Sequence, residues 1–232
     1  MFRSSIVVSL GLGLFALTVM PAAAGTVMLT GTGNLANVSV KSLKDLRFRN
    51  VVRQQYDFSC GSAALATLLT YHYQHPISEQ DAFKAMYETG DKEKIRKEGF
   101  SMLDMKRYLD AAGYPANGFR ASLDKLAQVG IPAIALLNMS GYMHFVVVKG
   151  VSEKEVLIGD PATGLRTLPR KQFEDSWNGI LFVINDESSM PIARNTFNNR
   201  DAWQQRRAAP LGLALSRESL ATYSLLLGKH DF

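Results

Sequence analysis

The 232-residue chain has a single cysteine, Cys60, which excludes an intramolecular disulfide framework, a zinc ribbon and a CxxC redox pair together. Charge of one sign is not concentrated anywhere. Lys and Arg total 26 against 21 Asp and Glu, and the excess of five is spread along the sequence, so no nucleic-acid footprint is evident. No apolar run reaches the roughly 20 residues that a helix needs to span a bilayer, and there is no internal repeat. What remains is 47% apolar and 20% charged, enough to bury a sizeable core in one or two domains.

Arg3 precedes a 14-residue apolar run, Ile6 to Val19, followed by Pro21-Ala22-Ala23-Ala24-Gly25. Residues 1–24 are therefore read as a secretory signal peptide cleaved after Ala24, with an uncleaved membrane anchor as the alternative. The expected product is a periplasmic chain of 208 residues with net charge +4 and no membrane span. The absence of a cysteine just after the run excludes a lipoprotein. A free thiol in an oxidising compartment must be buried or used, which makes Cys60 the first residue to explain.

Residues 25–49 are small and polar, then basic, and read as an N-terminal arm or lead-in strand. From Ser59, a candidate cap, Ala63 to Leu69 are apolar almost all round, as in a helix buried on most sides. Ser78 with Asp81 and Ser101 with Asp104 open two further helices, and a fourth runs from Leu123 to Val129 before Gly130 and Pro132. The period then changes to strands over 133–137, 145–148, 156–158, 166–168 and 180–184. Helices first and strands later predict an α+β domain with a mainly antiparallel sheet over residues 50–185. Residues 186–210 read as a polar linker, and 211–227, with Leu220, Tyr223 and Leu227 at helical spacing, as a final helix.

A cysteine at a helix start has a chemical consequence, because the unsatisfied amides and dipole of the first turn favour the thiolate. Gly61 beside it leaves approach to the sulfur unobstructed. Of the four histidines, His72 and His75 are expected on the same helix, about 18 Å or more from the sulfur at 1.5 Å per residue. His230 is in the tail. His144, which opens the strand Phe145-Val146-Val147-Val148, is left as the base. A hairpin with its turn centred on Ser152 sets Asp160 directly opposite His144, with Cα atoms about 4.5 to 5.5 Å apart. Thiol, imidazole and carboxylate then form the nucleophile, base and orienter of a cysteine hydrolase. The Cys60 amide and a side-chain amide of Gln54 or Gln55 would hold an oxyanion. His72 and His75 with Glu79 make a weak metal pattern; no cofactor or metal is expected.

Three segments carry a resemblance: Arg53-Gln54-Gln55-Tyr56-Asp57-Phe58-Ser59-Cys60-Gly61-Ser62-Ala63-Ala64-Leu65, His144-Phe145-Val146-Val147-Val148 and Gly159-Asp160-Pro161-Ala162-Thr163-Gly164. In order and spacing they resemble the bacteriocin-processing, double-glycine leader peptidases, which are papain-like cysteine peptidases, over about residues 50–185. The Ser101-Met102-Leu103-Asp104-Met105 and Trp177-Asn178-Gly179 segments also look like structural positions of that family. The resemblance implies a papain-like fold and selects Gln54, six residues before the cysteine, over Gln55. It also implies catalytic roles for Cys60, His144 and Asp160, and a precursor peptide cut after two small residues, usually Gly-Gly. Many members are the first domain of an ABC exporter, but this chain has no transmembrane bundle and no GxxxxGK[ST] loop. It resembles instead the exported, stand-alone forms that accompany secretion of peptides or functional amyloid, whose secretion-system components are then candidate partners. The competing expectations are a papain-like cell-wall amidase and an inactive peptide-binding chaperone on the same fold.

Overall fold

The computed structural model describes residues 26–29, 36–39, 43–185 and 196–207. The expected signal peptide and the final helix over 211–227 lie outside the described residues. The chain divides into two compact units, residues 1–42 and 43–232. In the first, β1 (Thr26–Leu29) and β2 (Ala36–Ser39) pair as an antiparallel ribbon, with Thr26 opposite Ser39.

The second unit opens with α1 (Leu43–Arg47) and α2 (Cys60–His72), followed by α3 (Glu79–Thr89), α4 (Lys92–Glu98) and α5 (Met102–Ala111). Then come β3 (Ala116–Arg120), α6 (Leu123–Val129), β4 (Ala133–Met139), β5 (Tyr142–Val151), β6 (Glu155–Asp160) and β7 (Gly164–Pro169). After these follow α7 (Arg170–Ser176), β8 (Trp177–Ile184) and α8 (Arg200–Arg207). The strands form one sheet in the order β3-β8-β4-β5-β6-β7, and every neighbouring pair is antiparallel. The expected α+β class and antiparallel sheet are borne out.

Local chemistry sets several boundaries. Ser101 and Asp104 cap α5 reciprocally, with Asp104 N–H donating to Ser101 Oγ and Ser101 N–H donating to Asp104 Oδ2. Ser78 accepts from Asp81 N–H at the start of α3, and Ser122 accepts from Lys125 N–H at the start of α6. Ser59 does not cap α2. Its hydroxyl instead donates to the Tyr56 carbonyl and accepts from the Tyr56 N–H, tightening the loop before the helix.

Helix α2 is buried from Cys60 to Leu69, and its small residues Ala63, Ala64 and Ala66 let it lie close to the sheet. With α3, α4 and α5 it covers one face, packing Leu65, Leu68, Met86, Met105 and Leu109 on Ile134, Phe145, Val147 and Phe182. Short α6 and α7 cover the other face, setting Leu123, Leu126 and Phe173 on Val146, Val148 and Leu181. Two-sided burial explains why β5 reads as an unbroken apolar run rather than as an alternation.

The segment expected as a polar linker differs from that expectation. Within it, Phe197 and Ala202 are buried, Asn198 Oδ1 accepts the Val151 N–H at 2.9 Å, and residues 200–207 are helical. The Asn198 side chain closes the C-terminal end of β5, so composition alone misreads the segment.

Candidate active site

Cys60 is the first residue of α2, so its N–H belongs to the first helical turn, which has no preceding carbonyl of the helix to bond. Its side chain is 6% exposed, at the bottom of a cleft of about 640 Å³ lined by Phe58, Phe100, Met102, Tyr142 and Phe145 among others. Gly61 serves a different purpose from the one expected. A Cβ there would come within 3.0 Å of Phe100 Cβ and 3.5 Å of the Phe145 ring, so the glycine lets the cleft wall close on the helix and does not clear a path to the sulfur.

His144 reaches the site from β5, three residues after the tight Ser140-Gly141 turn, which is closed by Asn138 Oδ1 accepting the Gly141 N–H at 2.8 Å. Its Nε2 lies 2.8 Å from Asp160 Oδ1, with both side chains almost completely buried. The partners are those expected, but the register is not. Val147 pairs with Gly159 and Val148 with Ile158, whereas Gly150 pairs with Leu157. Lys149 is thus an extra residue in β5, a bulge. Continued to the strand end, that register sets Asp160 beside Val146, so His144 and Asp160 are diagonal neighbours on one face rather than directly opposite.

Asp160 is held from several sides. Its Oδ1 also accepts from Ala162 N–H at 2.9 Å and Thr163 N–H at 3.3 Å, while Oδ2 accepts from Arg166 Nε at 3.0 Å and Nη2 at 2.9 Å. Burial alone would raise the carboxyl pKa. The hydrogen bond and charge of His144, the Ala162 amide and the Arg166 charge overcome it and keep Asp160 ionised far into acid. Burial works against a charged His144 too, but the hydrogen bond and charge of Asp160, with Cys60 close by, prevail and push it up to about 9. Nδ1 of His144 is buried and makes no hydrogen bond among the described residues, and the Cys60 thiol is close enough to act on the ring's proton affinity.

Gln54 is joined to this group through its backbone, whose N–H donates to the Pro161 carbonyl at 3.0 Å, next to Asp160. Its Nε2 donates to the Tyr56 carbonyl at 3.1 Å, which leaves one amide hydrogen uncommitted, and its buried Oε1 accepts nothing among the described residues. Gln55 points elsewhere, accepting from Gln80 on the surface. Across the cleft mouth, the Tyr142 hydroxyl donates to the Asp57 carbonyl, and the Tyr142 ring lies 5.8 Å from that of His144.

The other titratable residues singled out in the sequence are dispersed. His72, the last residue of α2, contacts Thr196 through Nδ1 and Lys149 Nζ through Nε2 at 2.8 Å. His75 lies beyond the helix end with its ring against Tyr114, and Glu79 accepts from Ser62 Oγ at 3.1 Å. His230 is outside the described residues. No group of three potential metal ligands occurs among the described residues. Two residues that the sequence did not mark stand out. Arg166 faces Asp160. Lys149, 3% exposed, borders a second cavity of about 470 Å³ at the other end of α2 and has its ammonium brought down to about 7 by burial.

Comparison with known proteins gives this geometry a family. Residues 49–189 match the peptidase C39 family. The chain is 43% identical over 168 residues to a protein of Pseudomonas aeruginosa described as a probable functional amyloid protease, FapD, covering 72% of this chain and 74% of that one. Against the FapD of Pseudomonas fluorescens it is 44% identical over 148 residues, 64% of this chain and 66% of the relative. The crystal structure of the peptidase domain of Streptococcus ComA, a bifunctional ABC transporter, shares the fold. Its TM-score is 0.50 at 20% identity, over 58% of this chain and 96% of that one. A family match over more than half the chain, together with relatives above 40% identity, establishes that this protein belongs to the papain-like peptidase C39 family and is a cysteine peptidase.

Proposed function

We propose that the protein is a periplasmic endopeptidase that cuts a precursor after a pair of small residues, of Gly-Gly type, as an accessory to the secretion of a peptide or amyloid protein. The observation that carries this reading is that Cys60 lines an aromatic cleft and has beside it His144, which is hydrogen-bonded to the buried Asp160. The Tyr142 to Asp57 contact narrows the approach beside Cys60 and favours a peptide without bulky side chains at the scissile bond. The aromatic walls suit the apolar side of a leader helix. The resemblance to a probable functional amyloid protease supports the substrate class, and the Arg3-led apolar run supports export.

In this reading the Cys60 thiolate attacks the scissile carbonyl carbon, and the resulting oxyanion accepts from the Cys60 N–H and the free Gln54 Nε2 hydrogen. The C–N bond then breaks as the His144 imidazolium gives its proton to the leaving amine, which leaves a thioester on Cys60. Neutral His144 next takes a proton from water, whose oxygen attacks the thioester. The C–S bond breaks, and the thiolate and imidazolium are restored.

Mass spectrometry of co-expressed candidate precursors tests the proposal. The wild type should release the product cut after the small pair, and Cys60→Ala should lose about 10⁴-fold or more in kcat/KM while still binding precursor. Undiminished processing by Cys60→Ala would refute it. Cleavage of muropeptides instead of the Gly-Gly peptide would indicate an amidase, and binding without cleavage by the wild type a chaperone.

A further inference from the structure

We propose that Arg166 is a positioning residue of this site, fixing the plane of the Asp160 carboxylate so that Oδ1 faces His144 and supplying its permanent counter-charge. The inference rests on the catalytic reading of Cys60, His144 and Asp160 given above.

The topology builds the contact. Asp160 ends β6 opposite Gly164, the first residue of β7, and Arg166 lies two residues further along β7, on the same face. Its guanidinium converges on Oδ2 with two donors, Nε at 3.0 Å and Nη2 at 2.9 Å, and the side chain is 27% exposed against 2% for Asp160. The turn amides of Ala162 and Thr163 hold Oδ1 from the opposite side. A carboxylate gripped at both oxygens cannot rotate, and a planar guanidinium with a fixed fork grips in a way that a lysine cannot reproduce.

Charge gives a second reason. A carboxylate this deeply buried needs a cation beside it. While His144 is an imidazolium it meets that need, but once the imidazolium has protonated the leaving amine the ring is neutral. Arg166 is then the cation left in contact with Asp160, so the carboxylate stays ionised and His144, not Asp160, takes the next proton from water. The charged and titratable groups acting on His144 are Cys60 from α2 and Asp160 from β6, with Tyr142 beside it on β5. Arg166 therefore acts through Asp160.

The test measures the titration of the assigned His144 ring by NMR in the full-length wild type, Arg166→Met and Arg166→Lys, alongside steady-state kinetics on a cleavable precursor. In Arg166→Met the His144 midpoint should rise by about one unit from the wild-type value, because a carboxylate no longer shared with a guanidinium holds the imidazolium proton more tightly and makes it a poorer acid. In the same variant kcat should fall about 10- to 100-fold with KM unchanged. Arg166→Lys, which keeps the charge but not the fork, should recover the midpoint and kcat in part. An unmoved His144 midpoint in both variants, or a loss confined to KM, would overturn the proposal. Should Cys60→Ala retain full processing, the catalytic reading falls, and the His144 midpoint still decides whether Arg166 positions Asp160.

Discussion

Asp160→Asn is the sharpest single-atom change available at this site. The amide oxygen still accepts from the Ala162 N–H, but the charge that holds up the His144 proton is gone. A histidine whose pKa is raised from 6.5 to about 9 contributes stability that is full below 6.5 and lost as the pH rises through 9. The alkaline limb of kcat/KM should follow the same group, so in Asp160→Asn it should move down from about 9 toward the ordinary imidazole range, with kcat lowered about tenfold or more. A pH profile superimposable on wild type would contradict this. At this scale the sequence was informative where a residue's chemistry was unusual for its place, as with a lone thiol at a helix start and a histidine opening an apolar strand. Arg166 gave no such signal, because an arginine in a strand is ordinary until the turn after Asp160 folds it back. Gln54 and Gln55 were indistinguishable by local pattern. Their partners separate them, the Gln54 N–H donating to the Pro161 carbonyl and the Gln55 side chain accepting from Gln80 on the surface.

Elements bounded by local chemistry were the most legible, since the Ser101 and Asp104 cap is written within four residues. The register of β5 against β6 was not, and the cause is remote. Gly150 lies so close to Asn198 and Trp203 that a Cβ would meet Asn198 Oδ1 at 2.5 Å, and the Val151 N–H bonds the same side chain, so the bulge at Lys149 is fixed by residues some fifty positions later. The bulge buries Lys149, which donates to the Asn50 carbonyl at 3.0 Å and to His72 Nε2 at 2.8 Å. With its pKa lowered from 10.5 to about 7, Lys149 binds its proton more readily in the unfolded chain, so its contribution to stability rises with pH between those values. His72, held well below its usual value by burial and then by the Lys149 charge, acts in the same sense at lower pH. Lys149→Met lacks the gain, so its Tm should fall progressively relative to wild type as the pH is raised from about 7 to about 10. A difference in Tm that stays constant across that range would show that the ammonium is not paying this cost.

At the scale of the molecule, the helical layer and sheet were foreseeable from the order of periodicities, whereas the closing role of residues 196–207 was hidden by their polarity. Phe197 and Ala202 are buried, Thr196 contacts His72, and Asn198 finishes β5. A chain ending at residue 185 should therefore unfold at a Tm lower by roughly 5 °C or more, and an unchanged melting curve would return the segment to the status of a linker. Cys60 has a practical consequence at this scale as well. As the only thiol among 232 residues, set at the base of a cleft, it makes any thiol-directed reagent site-selective without protein engineering. One equivalent taken up per chain counts intact sites, and the decline of labelling rate with reagent girth turns the approach beside the Tyr142 to Asp57 contact into a calibrated steric gauge.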